Sequence, residues 1–194
     1  MIQPLPMKWD LEVLYPGGSD SPEFKAMLEQ LEQNTGHLAE RVAALKPGSP
    51  LEDWEQAVGL LQSVFTQLTE AYSFVSCLMA QDQSDKRAVQ WNDRVKSIHA
   101  RYLSISTRFD ERLSQIDSVS WESMLQRETL KPVAFHLNER RRTAKEKMSP
   151  ELESLAGDLA VDGYHGWGEL YNTAVSALRF PFRTGETSVD LSPA

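Results

Sequence analysis

The four histidines are the first residues to consider for chemistry, because a catalytic zinc site on a helix needs two histidines four residues apart with a glutamate after the first. They are His37, His99, His136 and His165. No two of them lie within five residues of each other, and none is followed by glutamate. We therefore predict no catalytic residue and no metal ligand in this chain. His99 adjoins the apolar position Ile98, so we expect it to be a partly buried structural histidine.

The single cysteine and the paired acidic residues offer no better candidate. Cys77 lies in a helical pattern, where a lone thiol is most often a small core residue. The pairs Asp82 with Asp85 and Asp110 with Glu111 are typical of solvated helix ends and faces. Their spacing does not mark a general acid and a general base. Substrate-binding residues stay unknown from the sequence.

The stretch 127–147 is locally basic, with seven lysines and arginines against three glutamates and a net charge of +4. Such a run is typical of one exposed helix face with opposite charges at i,i+4 spacing. The alternative is a docking site for an acidic partner surface or a peptide C-terminus, centred on Arg140, Arg141 and Arg142. Aromatic residues do not alternate with the basic ones, so stacking on nucleic-acid bases is not expected.

A glycine-rich segment runs from Gly163 to Gly168. It follows a helix rather than a strand, and it lacks the lysine and hydroxyl residue that close a phosphate-binding loop. We instead expect Gly163 to end one helix in a left-handed conformation. Trp167 and Tyr171 are four residues apart, and we expect them to anchor the next helix by packing.

Composition narrows the class of protein. The chain has 194 residues, a net charge of −8 and one cysteine, so no disulfide within the chain requires an oxidising compartment. Its apolar runs are far shorter than the ~20 residues that span a bilayer, and its start lacks the pattern of a secretory signal. An acidic chain is also a poor general binder of nucleic acid. We therefore expect a soluble cytoplasmic domain with no nucleic-acid and no membrane partner.

Hydrophobic periodicity predicts a long central helix. Apolar residues recur at alternating spacings of four and three from Trp54 to Met79, and this seam includes Phe65 and Tyr72. A second apolar stripe runs beside the seam, so the helix is expected to pack on more than one neighbour. Ser49 is the predicted N-cap, followed by proline at the first helical position.

A long helix is predicted on each side of the central one. The first opens at Ser21-Pro22, is interrupted by a kink or loosened turn at 34–36, and stops at 46–48. The third starts near Ser84 and carries its apolar seam to Ile116. Short connections between helices of this length favour antiparallel packing.

The predicted elements become shorter after residue 117. Shorter helices are predicted at about 120–128, 131–147, 149–162 and 165–178. Alternating apolar and polar residues around Thr184-Gly185-Glu186 predict a β-hairpin over 179–192. The predicted fold class is all-α, with an antiparallel bundle of long helices (1–117), shorter helices (118–178) and a small C-terminal β-hairpin within one domain, 1–194.

Three segments, taken in order, carry a resemblance to a known family. The first is Trp9-Asp10-Leu11 with Leu14-Tyr15-Pro16, and the second is Leu68-x-x-Ala71-Tyr72-x-Phe74 running into Gln81-Asp82-x-x-Asp85. The third runs from Met148 through Gly163 to Trp167-x-x-Leu170-Tyr171 and the closing hairpin. From Trp9 to about Leu191, their order and spacing resemble the N-terminal region of the oligoendopeptidase F family of zinc metallopeptidases.

The resemblance implies a cytoplasmic parent enzyme that cuts short peptides inside a closed helical body. The family's zinc is held by a His-Glu-x-x-His helix and a further glutamate in a C-terminal catalytic domain, and no residue here matches those positions. The chain is therefore expected to be a non-catalytic N-terminal domain, inactive and without zinc by itself. Its partners would be that catalytic domain and an oligopeptide, and its helices would form one wall of the substrate channel. The alternative is a stand-alone helical interaction module.

Overall fold

The first long helix begins where Ser21 and Pro22 predict. In the computed structural model, which describes residues 10–82, 84–148, 150–184 and 187–191, the Ser21 hydroxyl oxygen accepts a hydrogen bond from the Phe24 amide at 3.3 Å. Helix α1 spans Pro22–Ala44. It runs through 34–36 without a break, so the predicted interruption there is wrong. The Thr35 hydroxyl bonds within the helix, to the Leu31 carbonyl.

Helix α2 spans Leu51–Gln81 and helix α3 spans Lys86–Ser114. Asp85 caps α3 by accepting hydrogen bonds from the Arg87 and Ala88 amides. Ser49 does not cap α2, which corrects the prediction. Its hydroxyl accepts from the Lys46 amide at 2.9 Å and closes the preceding turn instead.

The described residues after α3 form four shorter α-helices, a 3₁₀ turn at Lys131–Val133, a π-helical turn at Val161–His165 and a hairpin. The order and bounds are α4 (Ser118–Leu125), α5 (Ala134–Glu146), α6 (Pro150–Ala160), α7 (Gly166–Ala177), β1 (Phe180–Thr184) and β2 (Thr187–Leu191). The strands pair antiparallel, from Phe180 opposite Leu191 to Thr184 opposite Thr187. This arrangement confirms the all-α class and the terminal hairpin, whereas Gly185 and Glu186 of its turn lie outside the described residues.

The chain divides into two compact units, Met1–Lys145 and Glu146–Ala194. The division falls inside the part of the chain that the sequence assigns to shorter helices. The assignment of 1–194 to one domain stays a prediction.

In the first unit, α1, α2 and α3 contact one another and enclose one apolar core. The seam of α3 is confirmed, since its positions from Ala88 to Leu113 are buried except for the half-buried Trp91. The seam of α2 is only partly confirmed. Phe65 and Tyr72 are 54% and 49% exposed. They lie at the edge of the face that α1 and α3 cover, while the second apolar stripe faces the core.

The loop before α1 is fixed to the bundle by Tyr15. Its hydroxyl donates to Glu70 Oε1 at 2.5 Å, and its ring packs against Phe24 and Phe74. Burial, followed by the Glu70 carboxylate, raises the pKa of Tyr15 well above its usual value. Gly17 has φ +92°, which an L side chain rarely adopts, and its amide donates to Glu12 at 2.7 Å. Trp9 of the same motif lies outside the described residues.

In the second unit, α6 continues into α7 through a π-helical turn at Val161–His165. Gly163 lies in this turn and has no positive φ, so the predicted left-handed helix end is wrong. Across the described residues, no helix is long and apolar enough to cross a bilayer.

Candidate functional site

All four histidines have exposed side chains. For His99 this corrects the expectation of partial burial, because Ile98 points into the core and the next residue of the helix turns away from it. Where the structure describes the chain, no group of three or more histidine, cysteine, aspartate or glutamate residues could hold a metal ion. That this chain holds no catalytic or metal-ligating residue stays a prediction.

The cysteine and the first acidic pair lie where the sequence places them. Cys77 is half-buried against the apolar core. Asp82 and Asp85 lie at the facing ends of α2 and α3, and Asp82 accepts two hydrogen bonds from Ser84. A hydrogen bond from Ser19, followed by the amides at the start of α3, lowers the pKa of Asp85. These carboxylates stabilise helix ends.

Asp110 does not lie on a solvated face, which corrects the interpretation of the second acidic pair. It accepts a hydrogen bond from Arg140 Nε at 2.6 Å, and the two side chains are only 16% and 15% exposed. Arg140 also donates to the Ser106 hydroxyl at 2.7 Å, and its guanidinium lies over the Phe109 ring at 5.5 Å. One arginine of the basic stretch therefore fixes α5 to α3.

Arg141 also holds α5 against neighbouring parts of the first unit. Its Nη2 donates to the Ile116 carbonyl just beyond the end of α3, and its guanidinium lies 4.6 Å from the centre of the Trp121 ring. Burial lowers the pKa of Arg141. The Trp121 indole donates in turn to Asn138 at 2.9 Å. Together, the contacts of Arg141 and Trp121 pack α4 and α5 against each other and against the end of α3.

The start of the basic stretch reaches the second long helix. Arg127 donates to Glu55 at 2.5 Å and to Glu52 at 3.0 Å. The Thr129 hydroxyl also donates to Glu55. The hydrogen bonds from Thr129 and then Arg127 lower the pKa of Glu55.

These contacts change the interpretation of residues 127–147. The prediction of one exposed basic face is wrong for three of its residues. The side chains of Arg127, Arg140 and Arg141 hydrogen-bond to other helices or loops of the first unit. Arg142 is exposed and pairs with Glu139 of its own helix at 2.9 Å, as the i,i+3 pattern allows. Because these three arginines bind other parts of the first unit, they do not provide the exposed basic surface that a docking site for an acidic partner or a peptide C-terminus would need.

The most unusual surface lies in the second unit, where large apolar side chains are exposed. We call the following twelve residues the apolar surface: Met148, Leu152, Leu155, Leu159, Val161, Tyr164, Trp167, Leu170, Tyr171, Leu178, Phe180 and Phe182. Trp167 and Tyr171 are 68% and 67% exposed, so the prediction that they anchor α7 by packing is wrong within the described residues.

The apolar surface exposes a large total apolar area. At roughly 100 Å² for each half-exposed large side chain, its members together expose on the order of 1,000 Å². They are spread over the segment that contains α6, the π-helical turn, α7 and β1, and large exposed apolar areas mark interaction sites. Such a surface is typical of a site that another folded element covers.

One family model matches the chain. Residues 112–180 match the N-terminal region of M3 peptidases, described as Oligopeptidase F. The match extends from the last residues of α3 to the start of β1 and takes in the apolar surface apart from Phe182. No curated protein and no solved structure gives a significant match. The match supports an N-terminal region of the oligoendopeptidase F family. Of the three segments that carry the resemblance in the sequence, it contains the third as far as residue 180, whereas the first two lie before it.

Proposed function

We propose that this chain is the non-catalytic N-terminal domain of a zinc metalloendopeptidase that hydrolyses oligopeptides, and that it forms one wall of the substrate channel. The observation that carries the proposal is the coincidence of two features. The segment that matches the peptidase family, 112–180, contains almost the whole apolar surface. A surface of this kind fits a domain that is completed by another part of its own protein.

The catalytic domain of the same protein is the occupant that we propose for the apolar surface. Fully burying one large apolar side chain contributes about 1.5–3 kcal/mol. These side chains are already partly covered, so each would contribute a fraction of that amount, and a dozen of them together would favour the association of two domains. Interfaces between obligate partners are more apolar than those between transient ones.

The described residues of this chain do not form a binding site for the zinc of the proposed enzyme. The histidines are dispersed and exposed, and no metal-binding group is found in the described part of the chain. We therefore assign no chemical step to this chain. Its contribution is steric, because a wall of long helices admits an extended oligopeptide and excludes a folded protein. A cytoplasmic location belongs to the same proposal.

The proposal is tested by the coding sequence that follows residue 194 and by the zinc content of the two products. We expect the reading frame to continue and to encode a His-Glu-x-x-His helix. The full-length protein should purify with one zinc per molecule, and the 194-residue chain with none. A stop codon directly after Ala194 would overturn the proposal. Stoichiometric, tight zinc binding by the 194-residue chain would contradict the assignment of the metal to the catalytic domain.

A further inference from the structure

A groove in the first unit has no place in the function proposed above. It lies between α2, α3 and α5, and it has a volume of about 280 Å³. We call it the aromatic groove, after Phe65 on its rim and Tyr102 and Phe109 beneath. Pockets that take a drug-sized ligand measure about 300–1,000 Å³. The aromatic groove is therefore suited to one large side chain.

The floor of the aromatic groove is rigid and apolar. Tyr102, Phe109 and Leu137 are 5%, 1% and 2% exposed and belong to the core. Phe65 packs against Tyr102 with ring centres 5.8 Å apart, yet more than half of its surface faces solvent. An aromatic or branched side chain placed in the groove would cover the free face of Phe65 and gain a ring contact.

The charge in the groove is already balanced. Arg140 is the one arginine of the lining, and it is held by Asp110 at 2.6 Å and by the Ser106 hydroxyl. The groove therefore complements an uncharged apolar group. A carboxylate or ammonium in this position would lose water without finding a free partner of opposite charge, which is costly.

The two rims carry polar groups suited to a peptide main chain. Gln62 lies on the α2 side and His136 on the α5 side, and both are exposed. Neither side chain hydrogen-bonds to another residue in the described ranges. An extended peptide presents N–H and C=O groups on both sides of each residue, so one segment can bond to both rims while its side chain enters the groove.

We propose that the aromatic groove binds one large apolar side chain of an extended peptide, whose main chain hydrogen-bonds to Gln62 and His136. The site would favour peptides with an aromatic or large aliphatic residue. The identification of the bound peptide as a substrate rests on the proposed function. Binding itself is a property of the 194-residue chain and is measured without the catalytic domain.

The test is titration calorimetry of the 194-residue chain with a capped heptapeptide of alanine and serine that carries phenylalanine at its centre. We expect saturable binding, and none when the central residue is alanine, glutamate or lysine. The variant Phe65→Ala should raise Kd roughly 3- to 10-fold, and Gln62→Ala roughly 2- to 5-fold. Because both side chains are exposed, circular dichroism should show unchanged folding.

Tyr72→Ala is the matched control. Tyr72 is an equally exposed aromatic residue of α2, two helical turns beyond Phe65 and outside the groove. It should leave Kd unchanged. Equal losses in Phe65→Ala and Tyr72→Ala, or equal binding of the glutamate peptide, would overturn the proposal. So would a chain that dimerises through Phe65, because a second copy would then be the occupant.

The outcomes separate this proposal from the proposed function. If the full-length protein holds zinc but the 194-residue chain does not bind the phenylalanine peptide, the groove proposal alone fails. If the chain binds the peptide but the parent holds no zinc, the proposed peptidase fails and the peptide site remains.

Discussion

Arg140 of α5 and Asp110 of α3 form an ion pair of 2.6 Å that is largely removed from solvent, with both side chains about 15% exposed. The pair joins a helix of the family-matched segment to a long helix that lies almost wholly before that segment. Together with the contacts of Arg127 and Arg141, it makes the first unit a single structure across the start of the match.

Removing Asp110 should therefore destabilise the fold. Asp110→Ala leaves Arg140 partly buried without its carboxylate, and we expect the free energy of unfolding to fall by about 1–3 kcal/mol. Urea denaturation followed by circular dichroism measures the change. Glu139→Ala is the control, because its pair with Arg142 is exposed and an exposed ion pair contributes little to stability. Equal effects of the two changes would show that the Arg140 pair does not tie the helices.

The pair between Glu32 and Arg94 should make stability depend on pH. Two hydrogen bonds at 2.7 and 2.8 Å join α1 to α3, and the bond from Arg94 is the main cause of the lowered pKa of Glu32. Because the folded state favours the ionised form, this contribution is fully present above about pH 4.3, the usual pKa of an unfolded glutamate. It is lost as the pH falls through the lower folded pKa.

Glu32→Gln should accordingly destabilise the chain near pH 7 and much less near pH 3. The measurement is the urea midpoint at both pH values for the wild type and the variant. Glu40→Gln, in the same helix, is the control and should lower the midpoint by the same small amount at each pH. A Glu32→Gln effect that is the same at pH 3 as at pH 7 would rule out the pair as the cause.

The apolar surface predicts a variant whose effect depends on the length of the protein. Trp167→Asp should change the stability of the 194-residue chain by less than about 0.5 kcal/mol, because the side chain is 68% exposed there. In the full-length protein it should cost about 2–4 kcal/mol, since a carboxylate would be buried in the proposed interface with the catalytic domain. Thermal unfolding of both forms measures the difference.

Phe135→Asp is the control for this prediction. Phe135 lies on α5 in the first unit, is 80% exposed and also falls within the family match. It should be tolerated in both forms. If Trp167→Asp lowers the stability of the long and the short protein by the same small amount, α7 is not covered by a catalytic domain.

The ends of the helices could be predicted because the signals are local. Ser21 and Asp85 bond to amides two or three residues away, and the residue types alone indicate this. Ser49 shows the limit of such signals, since the same serine–proline start is used to close a turn. The hairpin is equally local, because its two strands are adjacent in sequence.

Which faces are covered could not be predicted, because covering depends on distant parts of the chain. Phe65 and Tyr72 follow the same spacing as Trp54, yet only Trp54 is buried. The partners of Arg127 and Arg140 lie 30 to 75 residues earlier, and nothing in a basic run indicates them. The exposed state of Trp167 is likewise invisible in a sequence whose helical spacing is typical of packed helices.

We propose that this chain is part of a peptidase whose chemistry lies elsewhere in the same protein. The decisive experiment is hydrolysis of a quenched fluorescent oligopeptide, measured on the full-length protein and on the 194-residue chain. We expect cleavage by the full-length protein that a zinc chelator abolishes and added zinc restores, and no cleavage by the 194-residue chain. Chelator-insensitive cleavage by the 194-residue chain, or a full-length protein that cleaves no peptide, would overturn the proposal.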